Sequence, residues 1–327
     1  MNMRFFALDG SEHLGTAIAS AMGVTLDPHE ERDFEDGEHK TRPLISVRGE
    51  DVFVLHALNG DPSRSVNDKL IRLLFFIAAC RENGAARISA IVPYIAYSRK
   101  ERQTKPRDPV TTRYVAQLFE AVGTDMVVTL DVHNIAAFQN AFRCATTHLD
   151  TCRLFAADIQ QRMSGAPVVI FSPDGGGVKR AQLVQEAYED LTGEAAGFGF
   201  IEKRRSGGIV SGSLFAGDVE GASVCIIDDM ISTGGTMLRS ARACRERGAR
   251  QVTLYAAHGL FVAGSETVLN DSAFDRIVVT DSVAPFRPEM ELVVGLLDVL
   301  PVAPIFAQAI MRLHGGGSIH RLLASDS

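Results

Sequence analysis

Ala243-Cys244-Arg245-Glu246-Arg247-Gly248-Ala249 repeats, with one change, the earlier run Ala79-Cys80-Arg81-Glu82-Asn83-Gly84-Ala85. In both places a helical segment closes on a glycine and a strand-length apolar run follows, as when a helix hands the chain back to a sheet. Upstream the copies match again, since Val47-Arg48-Gly49 and Val219-Glu220-Gly221 each lead into such a run. From the valine to the cysteine the first copy takes 33 residues and the second 25. The difference is expected in the loop joining strand to helix. The echo implies a duplicated α/β domain, with a boundary near Asp150.

Outward from the echo, apolar runs at 51–55, 87–93, 126–131, 168–171, 223–228, 251–256 and 276–280 are candidate strands. Segments of helical period lie between them: Leu70, Leu73, Leu74 and Ile77 follow the i, i+3, i+4, i+7 rule, and so do Val115, Leu118, Phe119 and Val122. Glycines at 84 and 123 supply C-terminal caps. Strands alternating with helices predict parallel sheets covered by helices.

A chain of 327 residues, 46% hydrophobic and 22% charged, buries a full core and suits two domains. This excludes a disulfide knot or a disordered tail. Forty acidic against 33 basic residues give a net charge of -7, which repels nucleic acid and anionic membrane, so any anion site must be a local cluster of donors. Five cysteines without a CxxC pair argue against a disulfide framework or a zinc ribbon and predict a cytoplasmic protein. Asp9 and Glu12 interrupt the N-terminal apolar run before it reaches signal-peptide length. The apolar stretch 292–311 contains Asp298, Pro301 and Pro304, so it reads as core elements around a turn rather than a membrane span.

The strongest chemical signal is Val224-Cys225-Ile226-Ile227-Asp228-Asp229-Met230-Ile231-Ser232-Thr233-Gly234-Gly235-Thr236. A buried strand ends at two carboxylates, and a Ser/Thr/Gly loop then opens a helix near Thr236. Free N–H groups at that helix start, with the hydroxyls of Ser232, Thr233 and Thr236, form a phosphate cradle. Adjacent carboxylates accept hydrogen bonds from vicinal hydroxyls or hold a divalent cation through water. Phosphate and diol together indicate a sugar phosphate.

This segment resembles the 5-phosphoribosyl-1-pyrophosphate loop shared by type I phosphoribosyltransferases and ribose-phosphate pyrophosphokinases, and alone it fits both. Other blocks resemble the second family, in its order, from about residue 5 to residue 315. Phe34-Glu35-Asp36-Gly37-Glu38 is similar to its adenine-site segment, and Val66-Asn67-Asp68-Lys69-Leu70 to its next block. The run 93–109, from Pro93-Tyr94 to Asp108-Pro109, resembles its nucleotide-binding arginine and basic loop. Asp131-Val132-His133 resembles its metal-binding histidine segment, Ser172-Pro173-Asp174-Gly175-Gly176-Gly177 its ribose-phosphate and magnesium loop, and Glu202-Lys203-Arg204-Arg205 its catalytic cations.

The residues themselves suit these roles. Arg99, Lys100, Arg102, Lys105 and Arg107 crowd into nine residues behind an apolar strand, with prolines that forbid a helix, as a polyphosphate lid would require. His133 and Asp174 also stand just beyond strand ends. Ser206-Gly207-Gly208 makes a mobile arm for Lys203 and Arg205.

The resemblance implies two tandem type I phosphoribosyltransferase-like domains, residues 1–150 and 151–301, each a mostly parallel sheet flanked by helices. Residues 302–327 are expected as a helix and tail packing back on the first domain. It implies transfer of the β,γ-diphosphoryl group of ATP to the C1 hydroxyl of ribose 5-phosphate, with Mg2+ as cofactor. The implied catalytic residues are Lys203 and Arg205. Phe34, Asp36, Glu38, Arg99, Lys100 and His133 are implied for ATP, and His133 and Asp174 for the metal. Asp174, Asp228, Asp229, Ser232, Thr233, Gly234, Gly235 and Thr236 are implied for ribose 5-phosphate. A homo-oligomer is implied, with Phe34, Asp36 and Glu38 reaching a neighbouring subunit's nucleotide, and neither nucleic acid nor membrane as partner. The competing readings are a type I phosphoribosyltransferase, which needs only the second domain, and a non-catalytic regulatory subunit.

The chain departs from the family pattern at Ser232 and Lys100, where many members carry Asp and Gln. Ile135 and His320 stand near positions where serines bind an effector phosphate in the branch that phosphate activates and ADP inhibits. Isoleucine offers no donor to an anion, so activity largely independent of inorganic phosphate is expected.

Overall fold

The computed structural model describes residues 1–163, 165–206, 209–284 and 293–323, apart from the side chains of 203–213, 321 and 323. The chain divides into two compact units, one of residues 1–149 with the chain from Val302, the other of residues 150–301.

The first unit runs β1 (Met3–Ala7), α1 (Glu12–Met22), β2 (His29–Asp33), β3 (His39–Pro43), β4 (Asp51–Leu55), α2 (Val66–Glu82), β5 (Arg87–Val92), α3 (Thr111–Ala121), β6 (Met126–Leu130), α4 (Ile135–Ala141) and β7 (Ala145–Leu149). Strands β1, β4, β5, β6 and β7 pair in that order, all parallel. Every residue of β4 is buried because both sheet faces are covered. Phe6, Val52, Val54, Ile88 and Ala90 pack in one core with Leu73, Leu74 and Ile77 of α2 and Val115 and Phe119 of α3. Alternation sends Phe5 and Phe53 to the opposite face.

The second unit runs α5 (Cys152–Arg162), β8 (Val168–Ser172), α6 (Val178–Thr192), β9 (Gly197–Ser206), β10 (Ile209–Ala216), β11 (Ser223–Ile231), α7 (Gly235–Arg245), β12 (Gln251–Gly259), α8 (Ser265–Leu269), β13 (Arg276–Thr280) and β14 (Leu297–Leu300). Its strands lie in the order β10-β9-β8-β11-β12-β13-β14, parallel except where β10 turns back on β9. After Pro301 the chain enters α9 (Ala303–Gly315) and α10 (His320–Leu323). Pro304 lies in the first turn of α9, where its missing N–H costs nothing. Helix α9 packs on α1. Arg87 donates to the Leu313 carbonyl at 2.9 Å, and His314 Nδ1 lies 2.7 Å from the buried Asp51 carboxylate. The stretch 292–311 thus resolves, from residue 293, into β14 and α9 about Pro301. Among the described residues no helix is long and apolar enough to cross a membrane.

The sequence echo is one piece of structure made twice. Arg81 donates to the Gly123 and Ala85 carbonyls and pairs with Asp125, while Arg245 donates to the Ala273 and Ala249 carbonyls and pairs with Asp275. Asp125 and Asp275 each also accept from an N–H of the strand that follows the arginine's helix, at Ile88 of β5 and Val252 of β12. Gly84 and Gly248 sit at φ 86° and 83°, and their carbonyls accept from Gly49 and Gly221 at 2.8 and 2.9 Å. The extra length of the first copy lies in the loop, as expected, since β4 and α2 are joined by residues 56–65 and β11 and α7 by residues 232–234 alone, and also in the helix, 17 residues in α2 against 11 in α7. The hairpin of β2 and β3 stands as its own two-stranded sheet. Its sequence, HEERD and HKTRP, is too polar to show an apolar alternation.

Candidate active site

In the second unit β8 and β11 are adjacent and parallel, so the loops after them share one edge of the sheet, where α/β folds bind ligands. After β11, Ile231 and Ser232 are held by the backbone of the neighbouring strand's exit: the Leu260 and Phe261 N–H groups donate to the Ile231 carbonyl, and that of Val262 to Ser232. Gly234 then takes φ 78°, and a Cβ there would come within 2.8 Å of Leu269, so only glycine makes this turn. Helix α7 opens at Gly235, one residue from the expected start, and its first N–H groups have no carbonyl a turn behind them. Ser232 and Thr236 are half-buried beside this helix start, Thr233 is exposed, and Arg239 donates to Thr236 Oγ1 at 3.1 Å.

Asp228 and Asp229 sit within the last turns of β11. The Asp229 side chain is 3% exposed and that of Asp228 21%. Asp228 Oδ1 accepts from the Asp229 N–H at 2.8 Å. Burial first, and then the neighbouring Asp229 charge, push the Asp228 carboxyl well above the ordinary carboxylate range, against the pull of Arg180. Arg180 Nη1 lies 3.5 Å from Asp229 and 3.8 Å from Asp228. Sequence reasoning missed Arg180. Its signal was a cation in the first turn of the helix that follows Gly175-Gly176-Gly177.

After β8, Asp174 folds its own loop: its Oδ1 accepts from the Gly176 and Gly177 N–H groups at 2.9 and 3.0 Å, and its carbonyl accepts from Ser172 Oγ at 2.7 Å. Ser240, buried on α7, donates to the Pro173 carbonyl at 3.3 Å and ties this loop to α7. The structure therefore gathers Asp174, Asp228, Asp229 and Ser232 to Thr236 at one sheet edge. Lys203 and Arg205 fall on β9, their backbones opposite Ser213 and Val210 of β10. Their side chains, like Gly207 and Gly208, lie outside the described residues.

In the first unit β5 and β6 are likewise adjacent and parallel. Residues 93–110, after β5, form a loop without helix, in which Arg99, Arg102, Lys105 and Arg107 are exposed. Lys100, expected on the nucleotide, places its ammonium 2.6 Å from Asp108 and donates to Thr104. Asp108 also accepts from the Thr104 and Lys105 N–H groups, and the Lys100 and Thr104 contacts hold its carboxyl below the usual range. Lys100 here shapes the loop. His133, exposed, follows β6 and precedes the Asn134 cap of α4. Phe34, Asp36 and Glu38 lie on the turn joining β2 to β3, closed by Phe34 N–H to the Glu38 carbonyl and Glu38 N–H to Asp36. The Phe34 ring is 40% exposed, with Arg32 5.3 Å from its centroid.

Comparison with known proteins agrees in sequence and in structure. Residues 3–123 match a family described as the N-terminal domain of ribose phosphate pyrophosphokinase, and residues 213–324 a phosphoribosyl synthetase-associated domain. The chain is 33% identical to a ribose-phosphate pyrophosphokinase of Hyphomonas neptunium, over 98% of this chain and 99% of that one. It is 34% identical to one of Vibrio parahaemolyticus, over 97% and 98%. Its structure is similar to the crystal structure of phosphoribosylpyrophosphate synthetase from Mycobacterium smegmatis, with a TM-score of 0.86 and 30% identity over 97% of this chain and all of the other. A phosphoribosyltransferase, which needs only the second domain, is not favoured by matches that run through both units. With coverage this complete, the chain belongs to the ribose-phosphate pyrophosphokinase family and is an enzyme of that activity.

Proposed function

We propose that the enzyme transfers the β,γ-diphosphoryl group of ATP to the C1 hydroxyl of ribose 5-phosphate, giving phosphoribosyl pyrophosphate and AMP. The observation that carries the acceptor assignment is the edge formed by β11 and α7: two carboxylates, a glycine that only this turn demands, and the unpaired N–H groups of a helix start. The N–H groups and hydroxyls from Ser232 to Thr236 take the 5-phosphate, and Asp228 and Asp229 take the ribose hydroxyls. Asp174 serves the same ligand from the adjacent loop.

Phe34 stacks on the adenine while Asp36 and Glu38 accept from its polar edge or from the ribose. Arg99 neutralises the polyphosphate, and Lys100 keeps the basic loop in shape for it. Little covalent chemistry falls to the protein in phosphoryl transfer, so Lys203 and Arg205 act by meeting the charge that develops on the transferring group and on the leaving AMP oxygen.

Magnesium fits the residues present. Asp228 and Asp229 are adjacent carboxylates, burial and then the Asp229 charge raising the proton affinity of Asp228, and a hard divalent cation prefers such oxygen donors. Asp174 and His133 keep the metal-holding roles that the resemblance implied for them. When bound, the ion supplies charge neutralisation on the polyphosphate.

The division 1–150, 151–301 and 302–327 stays our working domain scheme, the first carrying the nucleotide residues and the second the acceptor loop. We assign the enzyme to the cytoplasm, in keeping with its five free cysteines, of which Cys80, Cys225 and Cys244 are fully buried. We also propose a homo-oligomer in which the 34–38 turn reaches a neighbouring subunit's nucleotide.

AMP release from ATP, Mg2+ and ribose 5-phosphate tests the reaction. Lys203→Ala is expected to lower kcat by roughly 10²-fold with little change in either KM. An unchanged kcat removes Lys203 from the chemistry. Mixing Phe34→Ala with Lys203→Ala subunits is expected to restore part of the activity, and no recovery in verified mixed oligomers places each site within one subunit.

A further inference from the structure

The hairpin that carries Phe34, Asp36 and Glu38 has few apolar means of staying in place. Its two strands form a sheet of their own, and an isolated two-stranded sheet is marginal in water. His39 stacks on Phe75 at 5.3 Å, and His29 meets Phe6 and Phe76 edge-on. The remaining attachment is ionic.

Alternation along β2 places Glu31 and the more exposed Asp33 on the face that meets Arg72 of α2, while Arg32 turns toward Phe34. The Glu31 side chain is 1% exposed. Its Oε1 accepts from the Asp9 N–H at 2.7 Å and lies 3.2 Å from His29 Nε2; its Oε2 lies 3.4 Å from Arg64 Nη1 and 3.5 Å from Arg72 Nη1. Arg72 also donates to Asp33, and Arg64 Nη2 lies 3.5 Å from Asp33 and 3.2 Å from Asp9. Both arginines are themselves braced. Arg72 is 8% exposed on α2, and Arg64 closes a turn in which Asp61 accepts from the Ser63 and Arg64 N–H groups and pairs with the buried Lys69 at 2.5 Å. Asp33 is the residue immediately before Phe34.

Asp9, His29 and Glu31 also bring their ligand atoms within 4.8 Å of one another, close enough for one metal ion. Two guanidinium groups already engage those carboxylates, so an added cation would meet like charge there. Arginines, not a metal, tie the cluster together.

We propose that Arg64 and Arg72 are positioning residues for the nucleotide: by gripping Glu31 and Asp33 they set where the 34–38 turn holds its aromatic ring and carboxylates. The inference rests on reading that turn as the nucleotide segment, and the test separates the two. Without the clamp the turn samples many positions, and ATP bears the cost of ordering it while the acceptor does not.

Steady-state kinetics with both substrates varied are expected to show Arg72→Ala raising KM for ATP about tenfold or more, with KM for ribose 5-phosphate and kcat at saturating ATP within about twofold. Arg72→Lys, which keeps the charge but loses the fork, is expected to recover part of the loss. Asp33 is 56% exposed, so Asp33→Asn threatens the fold little and is expected to raise KM for ATP several-fold. Combined with Arg72→Ala it should add less than its separate effect, because both act on one contact. An unchanged KM for ATP in Asp33→Asn, or equal rises for both substrates in Arg72→Ala, overturns the clamp. Phe34→Ala decides the underlying reading: if it leaves ATP binding unchanged, the turn is not the nucleotide segment. If it weakens ATP while the Asp33 and Arg72 variants do not, the segment stands and the positioning role falls.

Discussion

The role proposed for Asp228 and Asp229 sets ligand binding against stability. Burial and the like charge of Asp229 raise the Asp228 pKa, so the folded chain binds a proton more tightly there than the unfolded chain does. By linkage the pair favours folding at low pH and loses that contribution as pH climbs above the ordinary carboxylate value of about 4. Asp228→Asn, which is neutral at every pH, is therefore expected to raise the melting temperature at pH 7 by a few degrees while weakening ribose 5-phosphate binding, with ATP binding little changed. Calorimetry and ligand titration on the same variant check both halves. A second consequence concerns pH. The affinity for ribose 5-phosphate should fall as pH drops through the raised pKa of Asp228, and Asp229→Asn should shift that acid limb downward, since it removes the like charge. A limb that stays in place or moves upward would contradict the coupling.

Among the elements, the twin helix ends explain why the echo was readable. A glycine cap, a buried cysteine and the arginine of each device lie within seven consecutive residues, so the echo shows in the sequence although the arginine's partners at Gly123, Asp125, Ala273 and Asp275 lie far along the chain. Arg245→Ala removes a donor from the Ala273 and Ala249 carbonyls and from Asp275, which keeps the Val252 N–H, and is expected to destabilise the second unit by about 1–3 kcal/mol. Arg81→Ala should do the same to the first unit, and chemical denaturation measures both. The catalytic constants of the folded variants should hold, since neither arginine lies at the acceptor loops. The elements that escaped the reading share a different trait. The β2–β3 hairpin is attached through Glu31, Asp33, Arg64 and Arg72, residues spread over 42 positions, and charges at such separations leave no periodic mark. Strands such as β1, β7 and β14, MRFFA, ATTHL and LDVL, mix charged or polar residues into short runs and so lack the continuous apolar stretch that marks β4, β8 and β13.

For the whole enzyme, the expected control rests on surface chemistry at the starts of two helices. Ile135 opens α4 with 45% of its surface exposed, and His320 opens α10. Where phosphate would need hydroxyl donors, these offer a hydrocarbon and one imidazole. Rates are therefore expected to depend little on inorganic phosphate, and ADP to act as a competitor that saturating ATP overcomes. Initial rates across a grid of ATP, ADP and phosphate check this, and strong activation by phosphate would contradict it.

Local order decided what could be read without coordinates. The strand carrying Asp228 and Asp229, which runs on to Ile231 rather than ending at the acid pair, the Ser/Thr/Gly loop, the helix behind it, the capped helices at Gly84 and Gly123, and the duplication each depend on residues close in the chain, where hydrophobic period and turn chemistry act directly. Tertiary structure decided which distant charges meet. It set Arg180 beside the acid pair 49 residues away, placed Lys100 against Asp108, and hung the 34–38 turn on two arginines from α2 and the loop before it. Coulombic and hydrogen-bonding partners are chosen by packing across the sheet and not by spacing along the chain, so a pattern in sequence records the cradle but not the side chains that hold it in place.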